Sequence, residues 1–309
     1  MSALTLTVIA NMTANYGEGL GNISSVQKVY SHNKVYASKS SESLKNAICV
    51  QSGLYDDLQT QSSNASKKAD KESDDSKEKG KKNAVQKRVD SEINAATNRA
   101  LEGGYLSTGD LTYKRNSSFY VTDAVAVDPF INEAQFHNNL YLAENNAKAN
   151  NRNLQESAKD SGLMPYQYEY DKGLKIYSLT IDLDRVGIDE NFAQEADADE
   201  KIARVNALLD AVENLSLVVK GSLDNAEPIF VVGGISKRKT HVFENSVRVR
   251  SLNLNINALK EKMNDNFSCA MMRNGQFDNE DDIVKELSPK RVGEFFSDLK
   301  EQVKAYYSK

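Results

Sequence analysis

From about Gln59 to Arg88 the chain carries no aromatic residue, and Ser, Lys, Asp, Glu and Asn dominate. Such a stretch cannot bury enough apolar surface to offset the entropy of ordering it. Any fold this chain adopts must carry it as a long polar insertion, here expected to be mobile. A charge run of this kind reads first as solvated chain and only second as a functional contact. With 309 residues, the chain is long enough for one large domain with insertions or for two ordinary domains.

The flanking segments have readable periods. Ala3 to Ala10 alternates, with Leu4, Leu6 and Val8 on one face and Thr5 and Thr7 on the other, as in a half-buried strand. Asn15 to Gly21 reads as a loop. Ser40 or Ser41 can cap a helix running through Leu44, Ala47, Ile48 and Cys49. Ser117 to Val127 reads as a strand, Asn132 to Gly162 shows no strong period, and the tyrosines of Pro165 to Tyr170 alternate as in an exposed ribbon. Leu179, Ile181 and Leu183 mark another strand. Ile202, Val205, Leu209 and Val212 recur at helical spacing. Pro228 to Val232 reads as a short buried strand ending at Gly233-Gly234, and Val247 to Ile256 as a further strand. Val292, Phe295, Phe296, Leu299, Val303 and Tyr306 form one face of a C-terminal helix. The class is α+β. With the insertions removed, the order is β-α-β-β-α-β, that of ferredoxin-like and RNA-recognition folds. Such an order supplies no function by itself.

Several function classes lose support. No window approaches the ~18 consecutive apolar residues of a membrane span, and the N-terminus starts directly with a strand pattern, so a cytoplasmic protein with no membrane partner is expected. Cys49 and Cys269 are far apart and read as buried small residues. His32, His137 and His241 lack metal-ligand spacing. Gly17, Gly19 and Gly21 follow a strand as GxGxG, which is not the dinucleotide fingerprint. GxSxG and HExxH are absent. Asp182 and Asp184 stand two apart on a strand pattern; an exposed polar face explains them more simply than a metal does. No cofactor, metal or catalytic residue is expected.

The net charge of -5 weighs slightly against nucleic acid, but phosphate responds to local clustering. Ser38, Lys39, Ser40, Ser41 and Lys45 gather at a helix start, where free N–H groups and the dipole favour an anion. Plain capping explains the same residues. After Gly233-Gly234 come Lys237, Arg238 and Lys239, a basic loop suited to phosphate or simply solvated. Lys114-Arg115 leads into the Ser117 strand.

These blocks, in this order, resemble CRISPR-associated protein family seven, the DevR-like backbone of type I Cascade complexes, in a type I-B-like version. Leu4 to Asn11 with Asn15 to Asn22 resembles its opening strand and Asn/Gly loop. Val35 to Ile48 resembles its Ser/Gly-rich helix, with Lys39 where glycine is frequent and Lys45 near the usual arginine. Gly103-Gly104-Tyr105-Leu106, Arg115 to Phe130, Tyr168 to Gly187 and Gly233-Gly234 resemble later blocks. The resemblance implies a ferredoxin-like, RRM-like palm (1–58, 113–129 and 171–309), a finger-like insertion at 59–112 and a β-hairpin thumb at 130–170. It implies a non-catalytic protein that binds guide RNA (crRNA) as a head-to-tail homo-oligomer filament in antiviral defence. Partners would be target DNA through the guide, a 5'-handle-binding subunit and a large subunit. RNA contacts are expected at Asn22, Ser38, Lys39, Ser40, Ser41, Lys45, Lys114, Arg115, Lys237, Arg238 and Lys239. Leu163 and Met164 are expected as base-splaying wedges.

The alternative is an enzyme of related fold, the target-RNA-cleaving backbone subunit of type III complexes. That relative uses an Asp between the first strand and first helix. Leu20 to Asn33 contains no carboxylate; Ser24 and Ser25 lie where one would be sought, and Glu18 is early.

Overall fold

The computed structural model of the protein describes residues 2–17, 23–56, 89–108, 111–132, 134–137, 140–151, 166–219 and 221–308. The class is α+β, built on an antiparallel sheet. Its centre is the Ala3–Thr13 strand, paired along its whole length with Lys172–Asp182 on one side and, over Ala3–Ala10, with Pro228–Ser236 on the other. Phe267–Met271 closes the edge beyond Pro228–Ser236. Across the sheet, Lys172–Asp182 pairs with Phe119–Val121 near one end and Ala124–Ala126 near the other. Lys34–Lys39 and Lys28–Ser31 continue outward.

Alternation sorts the two faces. Leu4, Leu6, Val8, Tyr177, Leu179 and Ile181 point to one side. There they meet the helices Ser41–Gln51, Ala198–Glu213 and Val292–Tyr307, whose apolar stripes supply Leu44, Val205, Leu209, Phe295, Phe296 and Leu299. The C-terminal helix thus occupies the span its helical spacing predicts. On the opposite face, Ile9, Leu174, Phe230 and Val232 pack with Phe243, Leu254, Phe277 and Ile283 in a second core. Toward the Asp182 end the same face becomes polar. Thr7 and Ser178 share a hydrogen bond at 2.8 Å, and Thr5 and Thr180 one at 3.2 Å, all four buried. Cys49 and Cys269 are both buried.

Four elements differ from the sequence reading. The Pro228 strand does not stop at Gly233-Gly234 but runs through them to Ser236. A Cβ on Gly233 would lie 2.1 Å from the Thr5 carbonyl oxygen, and one on Gly234 would lie 2.0 Å from that of Asn266. The glycines permit close strand approach rather than a turn. The Ser117–Val127 strand is broken at Thr122-Asp123, where Asp123 turns to cap a helix. Val247–Ile256 is a tight pair of two-residue strands, Val249–Arg250 and Asn253–Leu254, joined by Ser251 and Leu252 at positive φ. Within Asn132–Gly162 lie a strand, Ala134–His137, and a helix, Leu140–Ala149. That strand pairs with Tyr166–Glu169, which also pairs with Ile23–Ser24.

Residues 89–108 are tied to the sheet-covering helix Ala198–Glu213 by buried charge. Arg204 donates to Glu102 and to the carbonyls of Ala95 and Ala96. Glu102 also accepts from Arg115, Ser118 and the Gly187 N–H. Asp189 accepts from the Tyr105 hydroxyl and the Ala95 N–H. Burial, with Asp189 alongside, pushes the Tyr105 phenol up to about 12.

Candidate nucleic-acid interface

The basic residues singled out in the sequence do not form one site. They separate along the Lys172–Asp182 strand. Near its Lys175 end sit Asn15, Ser38, Lys39 and Ser40; near its Asp182 end sit Lys114, Arg115 and Lys237 to Lys239. Lys175 and Asp182 stand seven positions apart, about 23 Å at a strand's rise of ~3.3 Å per residue.

At the first end, Ser40 caps the Ser41–Gln51 helix, its hydroxyl oxygen accepting from the Ser43 N–H at 3.3 Å. The Ser41 N–H donates to Asp123 at 2.7 Å. The helix start is therefore already occupied by a side-chain carboxylate, which opposes the simple picture of an open anion site at that terminus. Lys39 points inward and is only 3% exposed. Its ammonium donates to the Asn15 side-chain oxygen at 2.8 Å. Desolvation lowers its pKa to about 8; Lys175 opposes its charge and Asp224 favours it. Lys175 is fully buried and donates to Asp171 and to the Met12 carbonyl. Lys172 pairs with Asp224 at 2.6 Å. Ser38 is buried within the sheet, paired with Val125. One turn into the helix, Lys45 reaches toward the Asp182 end instead, donating to Ser117 at 2.9 Å and to the Gly103 carbonyl at 3.2 Å. It also lies over the Phe119 ring. Lys45 is thus engaged with the protein's own groups.

At the second end, Arg115 is buried. It donates to the carbonyls of Ile188, Leu101 and Arg185 and to Glu102. Four of its five N–H groups so committed make it a structural clamp. Lys114, next to it, is exposed and lines a cleft of about 220 Å³ with Asn116, Arg185, Glu190 and Asn191. Arg185 lies 3.6 Å from Asp182 and 3.5 Å from Glu190. The basic loop sits alongside. Lys239 reaches Asp182 at 2.5 Å, whereas the exposed side chains of Lys237 and Arg238 make no hydrogen bond or ion pair with the described residues. His241 anchors the loop base through its Nδ1 and the Thr180 hydroxyl at 2.8 Å. Burial lowers its pKa, partly offset by Glu244.

Asp182 and Asp184 do not form a metal pair. Asp182 holds Lys239. Asp184 lies in the turn after the strand and accepts from the Ser2 N–H and the Tyr306 hydroxyl. Among the described residues no group of three His, Cys, Asp or Glu side chains is placed to hold a metal ion. None of their helices is long and apolar enough to cross a membrane. Asn22, Leu163 and Met164, and the polar stretch Gln59–Arg88, lie outside the described residues.

Sequence reasoning placed Asn15 at the start of a loop and gave it no role. In the fold it touches Lys39, Ser40 and Ser43 at once. The available signals were its position two residues past the end of the first strand and the resemblance of Asn15 to Asn22 to an Asn/Gly loop.

Residues 4–258 match the family described as CRISPR-associated negative auto-regulator DevR/Csa2. Among solved structures, one described as a CRISPR RNA-guided surveillance complex, pre-nicking, is similar at 13% identity. The match covers 96% of this chain and 99% of that one, with a TM-score of 0.56. A second, described as a CRISPR RNA-guided surveillance complex, is 14% identical over 99% of both chains, with a TM-score of 0.54. No curated protein sequence matches significantly.

Proposed function

The chain belongs to the CRISPR-associated DevR/Csa2 family, and we propose that it is a backbone subunit of a type I CRISPR surveillance complex (Cascade), polymerising along the guide RNA without catalysing a reaction. The observation that carries this reading is the family match over most of the chain. Supporting it, the fold is similar end to end to chains of RNA-guided surveillance complexes. In this reading the central sheet is a ferredoxin-like palm, residues 59–112 are fingers, and the ribbon of Ala134–His137 and Tyr166–Glu169 belongs to the thumb. Open head-to-tail contact between copies gives a filament. Contacts to phosphate rather than base edges let one protein hold any spacer, and the displayed bases then read target DNA by pairing.

The exposed cations Lys114, Lys237 and Arg238 suit phosphate contact. The non-catalytic assignment is supported by the commitments of the acids around the first helix: Asp123 caps Ser41, and Asp171 and Asp224 each hold a lysine. The test is purification of the protein with its partners from cells carrying a CRISPR array, followed by sequencing of the copurifying RNA. Array-derived RNA of many spacers, in particles holding several copies of the chain, is the expected result. Particles free of RNA, or RNA unrelated to the array, would overturn the proposal.

A further inference from the structure

Toward its Asp182 end the sheet offers a polar bed. Ser178, Thr180 and Asp182 alternate onto the face opposite the helices, with Thr5 and Thr7 beside them, and all five are buried. The segment from Ser236 to Phe243 is fastened to this bed by successive residues. Lys239 reaches Asp182 at 2.5 Å. The Thr180 hydroxyl donates to the Thr240 carbonyl at 3.2 Å, and His241 Nδ1 lies 2.8 Å from the same hydroxyl. The Val242 N–H donates to the Thr5 hydroxyl oxygen at 3.4 Å, and Lys262 donates to the Val242 carbonyl at 2.9 Å. Both ends are fixed: Ser236 pairs with Ala3 in the sheet, and Phe243 is fully buried in the second core. Between them the one apolar side chain is Val242. Polar fastenings of this kind exchange with water at little net cost, so the segment can open while the core stays closed.

Charge makes closure conditional. The segment carries Lys237, Arg238 and Lys239, and among the described residues Asp182 is the one carboxylate that pairs with any of them. A proton on His241 adds a fourth positive charge within the same five residues. Burial opposes that charge and Glu244 favours it, and burial is the larger influence. The other charged groups around the ring are Asp182 with Lys239 at the strand end and Lys262 across the loop. The closed segment thus disfavours the proton. Its closure is complete above the ordinary histidine value of 6.5 and weakens as pH falls below it.

We propose that Ser236–Phe243 is a strap that loosens from the sheet as a unit when His241 takes up a proton from solvent, with Thr180 as the residue that fastens it. Loosening parts Lys239 from Asp182 and uncovers the Thr5 and Thr180 hydroxyls, while the strands beneath stay paired. The polarity of this part of the sheet has its physical reason here: water can cover hydroxyls and a carboxylate when the strap is away, whereas an apolar bed would hold it down. The inference does not depend on RNA binding.

The test is hydrogen exchange of the Val242 amide in the whole chain, read by NMR as protection relative to the intrinsic rate at each pH. Between about pH 7.5 and about pH 5, where histidine titrates, Val242 protection in wild type should fall severalfold. The fall should begin near 6.5 and level off where the His241 ring itself titrates. Leu6 and Val8, in the central strand, should keep their protection throughout. His241→Gln keeps a hydrogen-bonding side chain that does not titrate there, and its Val242 protection should be flat over the same range. Thr180→Val removes the fastening hydroxyl and should lower Val242 protection at every pH. Protection at Val242 that is flat in wild type, that falls equally in His241→Gln, or that falls together with Leu6 and Val8 would overturn the strap. Should His241→Gln fail to fold, wild type alone decides: a fall that does not level off at the His241 ring titration sinks the proposal.

Discussion

The Arg204 guanidinium donates to the Glu102 carboxylate at 2.8 Å, and both side chains are only 1% exposed. From the other side Arg115 reaches the same carboxylate at 3.2 Å. One acid from the segment after the polar stretch is thus held between two arginines, one on a sheet-covering helix and one leading into the Phe119–Val121 strand. Outside this pair, Glu200 accepts from Arg99 and Arg204, which holds its pKa down to about 2 despite partial burial.

Removing one member of the buried set leaves a charge without its partner. Arg204→Ala should cost about 3–5 kcal/mol, read as a lower urea midpoint. Arg99→Ala touches a pair open to solvent and should cost less than about 1 kcal/mol. Equal losses for the two variants would show that the network has no buried core.

Gly233→Ala should be among the most damaging single substitutions in the chain. Its Cβ would lie 2.1 Å from the Thr5 carbonyl oxygen inside the central strand pair, so the strands must part. A loss above about 3 kcal/mol is expected; thermal melting within a degree or two of wild type would contradict the close approach.

The three cations of the basic loop should behave differently from one another. Lys237→Ala with Arg238→Ala should leave the melting temperature unchanged, since neither side chain holds the described fold. The RNA salt slope should fall by about 0.7 for each phosphate that the variant no longer neutralises. Lys239→Ala should also cost about 1–3 kcal/mol, because Asp182 is buried and loses its closest counter-charge. Uniform behaviour of the three in melting would show the Lys239–Asp182 pair to be unimportant.

Lys39 provides a prediction in pH. Its folded pKa is about 8 against an ordinary 10.5, so the unfolded chain holds the proton more tightly. Below about pH 8 the fold carries the full cost of charging it, on the order of 1–3 kcal/mol. That cost fades as pH rises from about 8 to 10.5. Burial sets it first, with Asp224 favouring the charge and Lys175 opposing it. The stability advantage of Lys39→Met should therefore be largest near neutrality and shrink toward pH 10.5. An advantage independent of pH would mean that burial of charge is not its cause.

The local signals in the sequence were the dependable ones. Alternation placed the first strand, Ser40 was legible as a cap, and the spacing from Val292 to Tyr306 placed the last helix. Long-range commitments were not legible. Lys114 and Arg115 look equivalent as adjacent cations, yet one is exposed and the other is locked to Glu102 and three carbonyls. Lys39 reads as a surface lysine beside serines, but Asn15 and Lys175 meet it only after the strands have paired. The glycines at 233 and 234 looked like a turn because glycine is ambiguous between turning and close approach. Only the positions of Thr5 and Asn266 decide between these.

The Lys172–Asp182 strand carries the Lys39 neighbourhood at one end and the basic loop at the other, and it is hydrogen-bonded on both edges. It therefore acts as a ruler: the distance between the two ends is fixed by peptide geometry and not by any ligand. It is also a ruler with only even graduations. Inserting one residue would turn every following side chain to the opposite face, exchanging Leu179 and Ile181 for Ser178 and Thr180 in the helix-facing core. The smallest length change that keeps both faces is two residues, about 6.6 Å. Related chains that hold their ligands at a different spacing should differ along this strand by two residues or not at all.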